Sequence, residues 1–157
     1  MGTLLISHPC FVHHETPHGH PERPDRIRAV ERILEHERFQ PLIRESAPLA
    51  ERADIIRAHP ESYFDALEQA APTHGTVQID DDTSMSPGTW EAVLRGAGAS
   101  VMAVDEVMQK LVNNAFCAIR PPGHHAEHAT AMGFCFFNNI VVGMRHALDA
   151  LGSHALH

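Results

Sequence analysis

Apolar and polar positions along the first third of the chain predict one strand and then helices. The apolar run Thr3–Ser7 predicts the first strand, and residues 8–24 after it are rich in His and Pro without any regular period, which indicates a loop. Apolar residues at three- and four-residue spacing predict a helix that continues to about Phe39. Its stripe consists of Ile27, Val30, Ile33 and Leu34. Residues 40–52 contain two prolines and predict a connection to another short helix.

The middle of the chain predicts two more helices with a short strand between them. Pro60 fits the first turn of a helix that directs Tyr63, Phe64 and Leu67 to the core. A turn and a short edge strand at 76–79 follow. The pair Ser86-Pro87 then predicts the N-cap and first turn of the longest helix, whose apolar spacing continues to Leu111 and which ends at Asn113-Asn114. Gly96 and Gly98 within it cost about 1 kcal/mol each relative to Ala, which predicts close packing against another element.

The last third predicts a strand, a long polar loop and a helix. The apolar segment Ala115–Ile119 runs into residues 120–139, which carry two adjacent histidines. Asn138 or Asn139 can cap a helix from about Asn139 to Leu151, and Gly152 predicts its C-terminal stop. A loop between a strand and a helix is where open α/β sheets place their active sites.

Composition narrows the class of protein. The 157 residues are 43% hydrophobic and 20% charged, which predicts one domain with a core, and no apolar run is long enough to span a membrane. The formal charge of −8 argues against nucleic acid as a main partner. Three cysteines are too few and too far apart for a disulfide framework, and the first residues do not read as a secretory signal, so we expect a cytoplasmic protein.

Four motifs in order along the chain resemble the histone deacetylase family, especially bacterial deacetylase-like amidohydrolases and acetylpolyamine hydrolases. They are GHPERPDRIRAV at 19–30, DDTSMSPGTW at 81–90, RPPGHHA at 120–126 and MGFCFFNN at 132–139. The resemblance implies a three-layer α/β fold with a mainly parallel sheet, like the N-terminal half of the arginase-deacetylase fold. It also implies a function, the zinc-dependent hydrolysis of acetyl-lysine or of an acetylated polyamine.

The resemblance assigns roles to particular residues. His125 would be the principal base and later the acid, with His124 as its electrostatic partner. Gly133 and Phe134 would line the channel for the acyl-amine side chain, with Phe136 behind that wall.

Two further charged residues match family positions. Arg26 corresponds to an arginine near the inner end of the pocket, where a cation favours a departing acetate. The rim aspartate that binds the substrate backbone or amine corresponds to Asp81, or to Asp82 if the register differs by one.

Several of these residues also have a purely structural interpretation. Arg26 is equally compatible with a surface ion pair, and the three consecutive aspartates from Asp80 with a solvated turn. Phe137 is expected in the core, and Cys135 is expected to be a small buried residue. The histidines of 8–24 are of a type that binds metals, but their spacing matches no closed tetrahedral pattern, so we expect no metal site there.

The sequence also lacks part of the family pattern. The family's catalytic zinc is held by two aspartates and a histidine, and no Asp-x-His motif occurs in these 157 residues. We therefore expect a single incomplete deacetylase-like domain over 1–157, without zinc ligands, which by itself binds no stable metal and is inactive. An unpaired sheet edge would favour homo-oligomers. The alternatives are a truncated, non-catalytic binding or oligomerising module and a fragment of a longer enzyme.

Overall fold

The computed structural model describes residues 1–150 and 152. The regular elements, in chain order, are β1 (Thr3–Ser7), α1 (Pro24–Leu34), β2 (Ile43–Ser46), α2 (Arg52–Ile56), α3 (Glu61–Ala70), β3 (Val77–Asp80), β4 (Thr83–Met85), α4 (Thr89–Met108), β5 (Asn114–Cys117) and α5 (Asn139–Arg145). Two 3₁₀ helices, Pro9–His13 and Glu37–Phe39, and a π-helical segment, His146–Ala150, complete them. No helix in this described part of the chain has the length and apolar character to cross a membrane.

The main sheet has three parallel strands in the order β2-β1-β5. Leu4, Leu5 and Ile6 of β1 are consecutive and are all at most 2% exposed, so both faces of the central strand are covered. Such a continuous apolar run is typical of parallel strands with helices on both sides. The core cluster around β1 includes residues of α1 and α4. The predicted α/β class with a mainly parallel, three-layer arrangement is confirmed.

Helix α4 connects the two parts of the core, since its residues belong both to the cluster around β1 and to a second cluster with α2, α3 and α5. A Cβ atom on Gly98 would lie 2.0 Å from the carbonyl oxygen of Pro48 and 2.8 Å from the nitrogen of Ala50. The amide of Ala50 also donates a hydrogen bond of 2.9 Å to the carbonyl of Leu94. The predicted close packing of this glycine is therefore confirmed. Gly96 is less tightly enclosed, because its nearest neighbour is the side-chain nitrogen of Asn139 at 3.2 Å.

The smaller sheet is an antiparallel pair of β3 and β4. The expected edge strand at 76–79 corresponds to β3, whereas β4 was not predicted. All three residues of β4 are buried, and this strand leads directly into the turn before α4.

Four sequence-based expectations about element bounds were wrong. Strand β2 lies within 40–52, where only a connection was expected. Helix α1 ends at Leu34, and Ile33 is 58% exposed and so lies outside the buried stripe. Helix α4 begins at Thr89 with Gly88 as its N-cap, because the Ser86 hydroxyl instead bonds backbone groups of the loop after β1. It also ends at Met108, before the predicted Asn113-Asn114 stop.

At the C-terminal end, the predicted cap is confirmed, since the Asn138 side chain accepts a hydrogen bond of 3.1 Å from the amide of Val141. The expected helix end near Leu151 falls outside the described residues.

Both outer strands of the main sheet, β2 and β5, lack a further neighbouring strand within residues 1–150. Strand β5 pairs with β1 on one side only, and its Phe116 side chain is 51% exposed. Beside this edge, α4, β5 and the π-helical segment form an apolar groove. Its lining residues are Ala103, Val104, Val107, Met108, Asn113, Asn114, Ala115 and Ala147.

Candidate active site

A buried arginine fixes the start of the polar loop 120–139. The side chain of Arg120 is 1% exposed and uses all three guanidinium nitrogens. Its Nη1 donates to the carbonyls of Phe11 at 2.7 Å and His14 at 2.6 Å, so it ties the loop to the segment after β1. Its Nε and Nη2 donate to the two carboxylate oxygens of Glu22 at 2.9 and 2.8 Å. This bidentate geometry is the strongest form of the Arg-carboxylate contact.

The same carboxylate also holds Arg26. Nη1 of Arg26 donates to Oε1 of Glu22 at 3.1 Å, and the Arg26 side chain is 60% exposed whereas that of Glu22 is 1% exposed. The surface ion pair considered for Arg26 therefore has a buried partner, and it directs the guanidinium toward the loop. Glu22 and Arg120 lie in the motifs at 19–30 and 120–126, but neither is predicted from the sequence as a functional residue.

Five of the six site residues expected from the sequence line one cavity of 480 Å³. The full lining is Pro21, Glu22, Arg26, Pro122, His124, His125, Gly133 and Phe134. The imidazole rings of His124 and His125 lie 4.2 Å apart between centroids, and both residues are exposed. Within the described residues, none of their ring nitrogens has a hydrogen-bond partner. The pair thus lies at an open cavity, where a bound molecule can reach both rings.

A tight turn shapes the wall beside His125. Met132 and Cys135 exchange two backbone hydrogen bonds, and the residues between them, Gly133 and Phe134, both have positive φ, at 57° and 70°. A two-residue turn with positive φ at both central positions is of the type I′ class. A Cβ atom on Gly133 would lie 2.7 Å from Cβ of His125, so only glycine lets the turn approach this histidine. A phenylalanine with positive φ is costly, which is typical of a functional position.

Asp81 lies beside the main cavity and does not line it. Asp81 and Asp82 border a second, smaller cavity together with His18 and His20. The His20 ring connects the two cavities, because its Nε2 is 2.8 Å from the carbonyl of Asp82 and its ring packs edge-on against Phe134 at 4.8 Å. The Asp82 carboxylate accepts a hydrogen bond from the Thr83 hydroxyl, whereas that of Asp81 has no bond within the described part of the chain.

The far end of the loop is fixed by His59, which the sequence analysis did not single out. Its Nε2 accepts a hydrogen bond of 3.0 Å from the amide of Asn138, so Nδ1 carries the proton and donates to the carbonyl of His128 at 2.8 Å. Burial lowers the pKa of His59, which keeps this ring neutral and preserves both bonds. The Asn138 side chain donates in turn to the carbonyl of Ala126, one residue after His125.

Aromatic residues of the loop support it from inside. Phe136 and Phe137 are 1% and 2% exposed, and Cys135 is fully buried. The core position expected for Phe137 and the buried position expected for Cys135 are confirmed. Phe136 packs edge-on against His14, and burial next to Arg120 lowers the pKa of His14 to about 3.

The cavity residues do not make up a zinc site. The only carboxylate among the described residues that line it belongs to Glu22, and both of its oxygens are bonded to arginine. A cation next to two guanidinium groups would be repelled, and tetrahedral zinc needs three or four protein ligands. This cavity therefore brings together two imidazoles, an arginine and an apolar wall, and the one carboxylate among its described lining residues is already paired with arginine.

Comparisons with known proteins agree with this geometry. The structure is an α/β fold in which a loop with paired histidines follows a parallel strand and is held by a buried ion pair. The sequence model described as the histone deacetylase domain matches residues 20–155. The chain therefore belongs to the histone deacetylase family.

Individual relatives show the same relationship. The chain is 34% identical over 154 residues to a probable deacetylase of Archaeoglobus fulgidus, covering 94% of this chain and 42% of that protein. It is 34% identical over 130 residues to a histone deacetylase-like amidohydrolase of Pseudomonas aeruginosa, covering 82% and 34%. It is 30% identical over 167 residues to the polyamine deacetylase HDAC10 of Homo sapiens, covering 99% and 25%.

A solved structure confirms the fold. The crystal structure of the HDA15 HD domain superposes with a TM-score of 0.85 at 26% identity, and the match covers 91% of this chain and 42% of that one. The chain thus spans less than half the length of these relatives.

Proposed function

We propose that residues 1–157 supply the proton-transfer and channel half of a zinc-dependent deacetylase that acts on acetyl-lysine or on an acetylated polyamine. The observation that carries this proposal is the single cavity that brings together Arg26, the His124-His125 pair and the Gly133-Phe134 turn. Each of these residues was expected at such a site from its motif alone.

The roles of the residues follow from their surroundings. We assign proton transfer to His125 and a partner role to His124, because their rings are adjacent and both residues line the cavity. The Phe134 ring and the Gly133 backbone suit the methylene stem of an acylated amine. Arg26 offers a cation to a carboxylate product, and the free carboxylate of Asp81 at the neighbouring cavity suits a substrate amine or backbone amide.

The 157-residue chain alone is proposed to be inactive. Zinc would lower the pKa of a bound water from 15.7 to about 7. At 1.36 kcal/mol per pKa unit, this change favours the formation of hydroxide by about 12 kcal/mol. General acid-base catalysis contributes a factor of only about 10² to 10⁴ in rate. Two histidines cannot replace that contribution, and the Asp-x-His motif that would hold the ion is absent from the sequence.

The test compares this polypeptide, with added zinc, to a version extended to full family length. Substrates are an acetyl-lysine peptide and an acetylated diamine, and a His125→Ala variant of the long form is the control. We expect turnover only by the long form and a drop of about 10² to 10⁴ in its His125→Ala variant. Zinc-dependent turnover by the short chain would contradict the proposed inactivity.

A second candidate function is self-association as a non-catalytic module. The observation that favours it is the unpaired edge of β5 next to the apolar groove. Exposed strand edges promote pairing with other chains, so we propose a homo-oligomer formed through this edge. Sedimentation of the parent and a Phe116→Lys variant tests it, since a charge at this edge should shift the parent's oligomer to monomer.

The remaining properties are also proposals. With a formal charge of −8, neither a nucleic acid nor a membrane is expected as a partner, and the location is expected to be cytoplasmic.

A further inference from the structure

A second group of reactive side chains lies outside the candidate active site. Ligand-type atoms of His8, Cys10 and Glu91 all lie within 4.8 Å of one another, and no other such group occurs among the described residues. His8 and Cys10 flank the start of the 3₁₀ helix after β1, and Glu91 lies in the first turn of α4. None of the three lines the cavity of His124 and His125. We propose that these three side chains bind a divalent cation of the zinc type.

The ligand chemistry selects the kind of ion. One sulfur, one imidazole nitrogen and one carboxylate oxygen form a mixed set that suits zinc, whereas calcium and magnesium take oxygen ligands. Tetrahedral zinc, with bonds of about 2.3 Å to sulfur and about 2.0 Å to nitrogen or oxygen, places its ligands about 3.3 to 3.6 Å apart. The ligand atoms now lie within 4.8 Å of one another, so binding requires side-chain rotations that bring them to that spacing. A water molecule would occupy the fourth position.

Two existing contacts set the conditions for binding. Nε of Arg95 donates to Oε1 of Glu91 at 3.0 Å, and Nη1 of Arg95 donates to the carbonyl of Ala47 at 2.8 Å. The guanidinium is thus held on one carboxylate oxygen, which leaves the other for the ion. Nδ1 of His8 accepts a hydrogen bond of 3.0 Å from the amide of Cys10, and coordination by this nitrogen replaces that bond.

The protonation states of Cys10 and of the half-buried His8 agree with this chemistry. Burial, and then the charge of Glu91, raises the pKa of the Cys10 thiol to about 11, so without an ion this group is protonated at neutral pH. Binding of a cation would release that proton, as expected for thiolate ligands. Burial and the nearby Arg95 lower the pKa of His8, which favours the neutral imidazole that coordinates metals.

This site differs from the histidine cluster considered from the sequence. His14 lies 2.6 Å from the Thr89 hydroxyl, and His20 is bonded to the backbone of Asp82, so these two histidines do not gather with His8. The ligands come instead from one histidine, one cysteine and a glutamate distant in sequence. The proposal therefore replaces the expectation that the chain binds no metal, and it does not depend on deacetylase activity.

The test is binding of Co²⁺ as a spectroscopic substitute for zinc, using tag-free, chelator-treated protein. We expect one equivalent of Co²⁺ to produce a near-ultraviolet thiolate-to-cobalt band that one equivalent of Zn²⁺ removes. Cys10→Ser should abolish the band, whereas Cys117→Ser and Cys135→Ser are matched controls that should retain it. Glu91→Gln, at a half-exposed position that tolerates substitution, should weaken Zn²⁺ affinity at least tenfold by calorimetry.

Four results would overturn the proposal. Three of them are no thiolate-to-cobalt band in the parent, loss of the band in Cys117→Ser or Cys135→Ser, and unchanged Zn²⁺ affinity in Glu91→Gln. Retention of parental Zn²⁺ affinity by folded Cys10→Ser would show binding by surface histidines alone and would equally refute it. If circular dichroism shows that Cys10→Ser is unfolded, the Glu91→Gln affinity decides the matter.

Discussion

Arg120 and Arg26 bond the same carboxylate, and we predict very different costs for removing them. Arg120 makes five hydrogen bonds, and it and Glu22 are each 1% exposed. In Arg120→Met, the carboxylate keeps only Arg26, and the carbonyls of Phe11 and His14 lose a donor. Breaking a buried ion pair in this way costs about 3 to 5 kcal/mol. Arg26 is 60% exposed, so Arg26→Met removes a solvent-screened pair worth about 0 to 1 kcal/mol.

Urea unfolding of the 157-residue chain, followed by circular dichroism, measures the loss in free energy of unfolding for both variants. The comparison holds when the m-value, the dependence of that free energy on urea concentration, is the same in each. A double variant, Glu22→Met with Arg120→Met, distinguishes the uncompensated charge from lost packing, and it should recover most of the free energy of unfolding. If Arg120→Met is unfolded without urea, recovery by the double variant still provides the comparison. Equal losses for the two single arginine variants, or no recovery by the double variant, would refute the reasoning.

Three further predictions concern the framework around the site. Gly98→Ala should lower the free energy of unfolding by about 2 kcal/mol or more, because the new Cβ would meet backbone at 2.0 Å. This loss is expected despite a helix-propensity gain of about 1 kcal/mol. Gly96→Ala, which faces a side chain at 3.2 Å, should stay within about 1 kcal/mol of the parent in the same urea assay. The pKa of His14 is lowered to about 3 from an unfolded value of 6.5, so between these values the unfolded state binds one more proton. The free energy of unfolding should therefore fall by about 1.4 kcal/mol per pH unit below about pH 6. His14→Gln should lack this contribution in urea titrations at several pH values. An unchanged slope of the free energy of unfolding against pH in this variant would contradict the prediction. Asn138→Ala removes a helix cap and the bond to the carbonyl of Ala126, so it should lower the melting temperature by an amount equivalent to about 1 to 2 kcal/mol. Asn113→Ala, at an exposed bend where the side chain bonds only the carbonyl of Met1 among the described residues, should have little effect.

Elements with a strong local signal could be predicted from the sequence. The sequence predicts strand β1 to the residue, because its apolar run is followed directly by a segment rich in His and Pro. Strand β2 was missed because all four of its residues are exposed at the edge of the sheet, so no apolar alternation marks it, and the prolines on either side suggested a loop. Ser86 was taken as a helix cap because its type fits that position. The structure uses its hydroxyl for a contact with residues 13–15, which local sequence cannot indicate.

The candidate site shows the same division between local and distant information. The pair His124-His125 and the turn at Gly133-Phe134 could be identified because each lies in one short motif. The ion pair that holds these residues in place could not be identified from the sequence. Glu22 and Arg120 are 98 positions apart, and in the sequence each looks like an ordinary surface charge. Burying both charges is favourable only if the loop after β1 and the loop after β5 meet in one geometry, because a lone buried charge would be strongly destabilising. The ion pair therefore couples the position of the histidine pair to the position of Arg26, and the cavity they share is formed by residues of this chain without any metal ligand.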